Sequence, residues 1–221
     1  MHFRIQYLNL LILFATLNPI CLMELVKMSY AIRQKSFSKK TYFITLFILY
    51  INLIMGVYLL YPLALKGGYQ VKSLWLFVAI IAGPCIVLLE MSFSYLIVFL
   101  KEKKLVKIVI NDLKSKERVS GVWIVLIGIL EEIVYRKIWF FILLGIGVNV
   151  YLVILISAIV YALNHLSLGI MIFYQKLLAG IVFGLLFYVS GYLIAVPIIA
   201  HALQNCLVVL LSHYTSKGVK Q

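Results

Sequence analysis

Apolar residues run along this chain in stretches of about twenty, broken by short clusters of lysine, glycine and serine, and that spacing predicts helices that cross a membrane. Crossing about 30 Å of hydrocarbon at about 1.5 Å per residue takes about 20 residues. Runs of that length predict about seven spans, near 5–25, 42–64, 74–100, 120–144, 147–167, 170–189 and 191–212. The last four are separated by Gly145-Ile146-Gly147, Ser167-Leu168-Gly169 and Ser190-Gly191. Connections that short make the four helices antiparallel neighbours in one compact unit.

Composition strengthens this reading. Hydrophobic residues make up 65% of the 221 positions and charged residues 12%, far from the balance of a soluble domain. The expected fold is all-α, a polytopic transmembrane bundle in the cell membrane. Its organisation divides into N-terminal helices with basic loops (1–119), a helical unit that bears the chemistry (120–212) and a polar tail (213–221). Arg4 ahead of an apolar run resembles a signal peptide. No small-residue cleavage site follows it, so the first run is expected to be an anchor helix.

The charge of +13 changes the picture less than its size suggests. Lys27, Arg33, Lys35, Lys39 and Lys40 fill the first loop, and Lys101, Lys103, Lys104, Lys107, Lys114, Lys116 and Arg118 the third, whereas the second loop has Lys66 and Lys72. The excess of basic residues places the first and third loops in the cytoplasm and the N-terminus outside. Topology thus accounts for the charge, and without an aromatic-interleaved basic stripe no nucleic acid is expected as a partner. Membrane lipid is the expected neighbour, with the 101–119 stretch as a short interfacial helix near anionic headgroups.

Polar residues inside the apolar runs carry the candidate chemistry. Glu131, Glu132 and Arg136 lie within an apolar stretch from about Val122 to Gly147, and each such charge costs about 2.5–3.5 kcal/mol at the bilayer centre unless it has a partner. On a regular helix Glu132 and Arg136 are about 40° apart and Glu131 and Arg136 about 140° apart. The arginine therefore pairs with the second glutamate, and Glu131 is left for chemistry. Tyr161 and His165 sit at i, i+4 near the end of the fifth span, with Asn164 beside the histidine, and His201 and Asn205 repeat the spacing in the seventh. An acid, two histidines and an amide on neighbouring helices supply a base, a polarising donor and an oxyanion clamp for hydrolysis. By residue count His165 lies nearer a membrane surface than Glu131 or His201, so its helix must sit deeper or tilt for the three to meet.

Other polar and special residues invite structural readings. Glu90 is expected to hydrogen-bond between helices, with Lys176 or Lys137 as partner, and both lysines to snorkel. Pro84 and Pro197 are expected to kink their spans. Cys21, Cys85 and Cys206 match no metal or redox spacing and behave as small hydrophobes, and His2 and His213 are terminal.

Taken in order, Glu131-Glu132-x-x-x-Arg136, Tyr161-x-x-x-His165 and His201-x-x-x-Asn205 resemble the signature motifs of the CAAX-processing and bacteriocin-processing (CPBP, or Abi) family of intramembrane proteases. The resemblance covers about residues 120–210, and the flanking 180–184 and 198–205 stretches share it. It implies peptide-bond hydrolysis in which Glu131 and His165 activate water, His201 and Asn205 stabilise the oxyanion, and Glu132 with Arg136 supports the site. Tyr161 departs from the phenylalanine usual at that position. The residues themselves leave a second option, a zinc ion held by Glu131, His165 and His201, although no H-E-x-x-H motif is present and Asn205 suits an oxyanion clamp better. Catalysis without a cofactor is the preferred expectation.

The resulting expectation is an intramembrane endopeptidase. A Lys-, Ile- and Leu-rich chain leans toward a low-GC Gram-positive bacterium, where a toxin or signalling peptide precursor is the expected substrate, in maturation or self-immunity. A non-catalytic membrane regulator or immunity protein on the same scaffold is one alternative, and a CAAX prenyl-protein endopeptidase another. A proton-coupled transporter would need an acidic path through further spans, which the sequence does not show.

Overall fold

The computed structural model describes residues 2–17, 19–33, 38–65, 73–103 and 118–218. Its elements are helices α1 (His2–Leu17), α2 (Pro19–Ile32), α3 (Lys39–Leu60), α4 (Ser73–Glu102) and α5 (Arg118–Glu132), a π-helical turn (Ile133–Ile138), and helices α6 (Trp139–Gly145), α7 (Val150–Leu163), α8 (Ile170–Val189) and α9 (Ala195–Gly218). Short 3-10 turns follow α3 and α7. Among the described residues, four stretches are long and apolar enough to cross a membrane, Lys40–Leu60, Ser73–Glu102, Ile170–Val189 and Ala195–Ser212, with Gln6–Leu17 and Val150–Leu163 as shorter apolar helices. This is a polytopic helical membrane protein.

Local chemistry sets several of the boundaries. The Ser38 side chain accepts from the Thr41 amide at 3.1 Å and opens α3, and Asn149 does the same for α7 through Tyr151 at 2.9 Å. The first expected span does not run through. It divides between Leu17 and Pro19, because proline has no N–H to continue a helical ladder but fits the first position of a new helix. That break would strand backbone groups, which is costly in an apolar setting. Asn164, buried at the end of α7, answers it: its amide nitrogen donates to the Leu17 carbonyl at 3.2 Å, and its amide oxygen accepts from the Ile20 N–H at 3.5 Å.

Other expectations are also revised. The α7 helix spans 14 residues, and His165 follows it in the capping turn. The last helix starts at Ala195, so Pro197 occupies its first turn instead of kinking it, and Pro84 lies within the span of α4. Lys176 does not snorkel; it meets Glu90 at 3.0 Å across the α4–α8 contact, one turn from a bond between Gln175 and Ser94 at 2.6 Å. Cys85 and Cys206 are free and exposed on their helices. The proposed interfacial helix lies mostly in 104–117, outside the described residues.

Packing places the polar helices together. Helix α4 lies against α9 and α8, α7 against α8, and α5 between α3 and α9. Buried aromatic residues, among them Tyr50, Tyr135, Trp139, Phe140 and Tyr161, fill the main core. At the α4–α9 crossing a Cβ on Gly83 would lie 2.7 Å from the Leu203 Cβ and 2.9 Å from the Ala200 carbonyl oxygen. Small residues allow this approach where lipid gives no hydrophobic drive to helix association. Gly83→Ala should therefore cost about 1–3 kcal/mol as the helices separate. Thermal unfolding of the full chain in detergent measures this, and an unchanged transition would contradict the close crossing.

Candidate active site

Two adjacent carboxylates end α5, and consecutive residues on a helix point about 100° apart, so they serve different surroundings. Glu132 is fully buried. One of its oxygens lies 3.1 Å from Arg136 Nε and the other 2.8 Å from His201 Nδ1. The arginine, also fully buried, donates to the Gly180 carbonyl at 3.2 Å and lies over the rings of Tyr161 and Phe183 at 5.0 and 5.6 Å. Phe183 in turn stacks on His201 with centroids 4.7 Å apart. The second glutamate thus links α5, the π-helical turn, α8 and α9.

Glu131 faces elsewhere. Its Oε1 lies 3.9 Å from His165 Nε2 and accepts from the Tyr50 hydroxyl at 3.5 Å. His165 Nδ1 is 3.0 Å from the Tyr161 carbonyl oxygen. A carbonyl accepts and never donates, so Nδ1 carries the proton and neutral His165 presents the Nε2 lone pair to Glu131. Two acceptors 3.9 Å apart cannot bond each other, yet a water about 2.8 Å from each would see them at nearly a right angle. Such a water can direct one hydrogen at each base. The short α7 solves the expected problem of depth, because the helix stops where His165 meets Glu131.

Tyr161 lies at the centre of these contacts. Its carbonyl orients His165, its ring underlies Arg136, and its hydroxyl is 3.4 Å from His201 Nε2. With Nδ1–H directed at the Glu132 carboxylate, a neutral His201 accepts at Nε2, and the Tyr161 O–H is the donor between them. With both ring nitrogens protonated, His201 can donate toward a substrate from Nε2 while Nδ1–H stays on Glu132. Asn205 anchors one amide hydrogen on the Ile124 carbonyl at 3.2 Å and keeps a second for another acceptor. A Cβ on Gly128 would lie 2.7 Å from that amide nitrogen and 3.3 Å from the His201 ring, so the glycine gives α9 room to bring both residues against α5.

The structure brings together Glu131, His165, Glu132, Arg136, Tyr161 and His201, with Asn205 one turn along α9. His201 turns its Nδ1 to Glu132, and among the described residues no group of three or more His, Cys, Asp or Glu side chains is spaced to hold a metal ion. Sequence reasoning missed the π-helical turn, the role of Asn164 at the helix break, and Tyr50. A buried asparagine beside a proline-interrupted helix is a signal in retrospect. Tyr50 gives none.

Residues 119–207 match the family described as type II CAAX prenyl endopeptidase Rce1-like. That segment is similar to the family. Every residue of the three motifs lies within the matched segment, whereas α1–α4 and Tyr50 lie before it. Neither the curated proteins nor the solved structures contain a match. The apolar helices make the chain a membrane protein, and its motif-bearing segment is similar to a family of CAAX-type endopeptidases.

Proposed function

We propose that the protein is a multi-pass cell-membrane endopeptidase that hydrolyses a membrane-associated peptide with Glu131 as general base and without a metal. The observation that carries this reading is the Glu131–His165 pair, two acceptors aimed at one place from α5 and the end of α7. A water held there loses a proton to Glu131 as its oxygen attacks the scissile carbonyl carbon, while His165 holds the second hydrogen and orients the lone pair. The amide of Asn205 and the Nε2–H of a His201 that enters the cycle doubly protonated and keeps that proton throughout stabilise the tetrahedral oxyanion, aided by the Tyr161 hydroxyl. Glu131 then returns the proton to the leaving amine as the C–N bond breaks. Glu132 and Arg136 hold His201 in place throughout.

The substrate we favour is a toxin, bacteriocin or signalling precursor, cleaved for maturation or self-immunity, with lipid as the surrounding partner. A prenylated CAAX protein is the second reading, favoured by the description of the matched family. An immunity scaffold that needs no catalysis is the third. Purified full-length protein in liposomes, given two internally quenched probes, a farnesylated peptide ending in a CAAX sequence and an unprenylated hydrophobic peptide, separates them. Preferred cleavage of the unprenylated peptide supports the first reading, and preferred cleavage of the farnesylated one the second. Cleavage of neither, with immunity retained in cells, supports the third.

Chelation tests the chemistry. Activity should persist after exhaustive chelation, and His201→Ala or Asn205→Ala should lower kcat by about 10²–10³ with a smaller effect on KM, because an oxyanion clamp tightens as charge develops. Activity lost to the chelator and restored by zinc, with one zinc bound per chain, would overturn the metal-free mechanism and leave the peptidase standing.

A further inference from the structure

The matched segment does not contain every group that touches the candidate base. Tyr50 comes from α3, is fully buried, and its hydroxyl donates to Glu131 Oε1 at 3.5 Å. The same hydroxyl interacts with that of Tyr135 in the π-helical turn. Tyr135 accepts a hydrogen bond from Asn164 Nδ2 at 2.7 Å, and the Asn164 nitrogen also lies 2.9 Å from the Val160 carbonyl and 3.2 Å from the Leu17 carbonyl at the α1–α2 break.

The Tyr50 O–H donates to the Glu131 carboxylate, which as an ionised group accepts and never donates. A carboxylate beside His165 alone could rotate about its side-chain torsions, and fixing one oxygen toward Tyr50 limits which oxygen faces the water.

We propose that Tyr50 is a positioning residue for the general base, its hydroxyl fixing the Glu131 carboxylate from α3. This rests on the assignment of Glu131 as general base. It adds that part of the reactive geometry comes from a helix outside the family segment.

Tyr50→Phe keeps the buried ring and removes the hydroxyl. In the liposome assay, with whichever of the two quenched probes the wild type cleaves, kcat should fall about tenfold with KM nearly unchanged, as for a mispositioned catalytic group. Melting in detergent should hardly move. A substrate-free measurement stands beside it. In infrared spectra at a pH where Glu131 is protonated, its C=O band, identified by its loss in Glu131→Gln, should move to higher frequency in Tyr50→Phe because a hydrogen bond to that carbonyl has gone. An unmoved band overturns the proposal whether or not either probe is cleaved. So does a wild-type kcat, a rise in KM alone, or a loss of activity that tracks loss of folded protein. If the wild type cleaves neither probe and the band still shifts, the contact stands and the peptidase reading is what fails.

Discussion

Glu131→Gln should abolish cleavage, with a fall in kcat of about 10²–10⁴ for loss of a general base, and leave the protein folded. The amide matches the carboxylate in shape and can still accept from Tyr50. It cannot take a proton from water, and it offers His165 a donor in place of a second acceptor, so the water loses both its base and its orientation. The carboxylate has few structural duties: its contacts are the 3.5 Å bond from Tyr50 and the 3.9 Å approach to His165. Initial rates in liposomes and melting in detergent check the two halves of this expectation. Full activity in the variant removes Glu131 as the base.

The neighbouring carboxylate should behave in the opposite way. Glu132→Gln or Arg136→Gln should cost about 3–5 kcal/mol of stability, because each leaves a buried charge without its counter-charge. Glu132 also orients His201, so its loss disturbs α9, whereas loss of Arg136 empties the space between the Tyr161 and Phe183 rings. Replacing both residues together by glutamine should cost less than the sum of the single changes, since no lone charge remains. Membrane abundance and melting temperature report this. Equal destabilisation by Glu131→Gln would deny the two carboxylates separate roles.

The pairing of Glu132 with Arg136 was legible because residues four apart share a helix face, and the pair persists across the π-helical turn that the regular phase did not include. The long apolar runs were equally legible, since bilayer thickness sets their length. Which faces pack together was not. In lipid the outward and inward faces are both apolar, so the periodicity that marks the buried side of a soluble helix is weak. Tyr50 is one of 15 tyrosines, and nothing in its neighbours along the chain distinguishes it from the others. The oxyanion role of His201 comes from the family resemblance, and its contact with Glu132 depends on how α9 crosses α5. The π-helical turn arises where Arg136, Tyr135 and their partners must all be met at once, which no local residue preference announces. The break after Leu17 had a visible cause in Pro19. The length of apolar sequence across it nevertheless favoured reading a single span.

Asn164 closes that break from the end of α7, and the Trp139 indole N–H reaches back to Thr16 at 3.0 Å, as Tyr50 reaches forward to Glu131. The edge of the recognisable motif region is therefore not a seam at which the polypeptide can be cut. A minimal fragment that began at residue 119 would lack the acceptor for Trp139, the backbone groups that Asn164 serves and the hydroxyl on the reactive carboxylate. Fusions, truncations and chimaeras made with related proteases should exchange α1–α3 together with the motif helices or leave both in place.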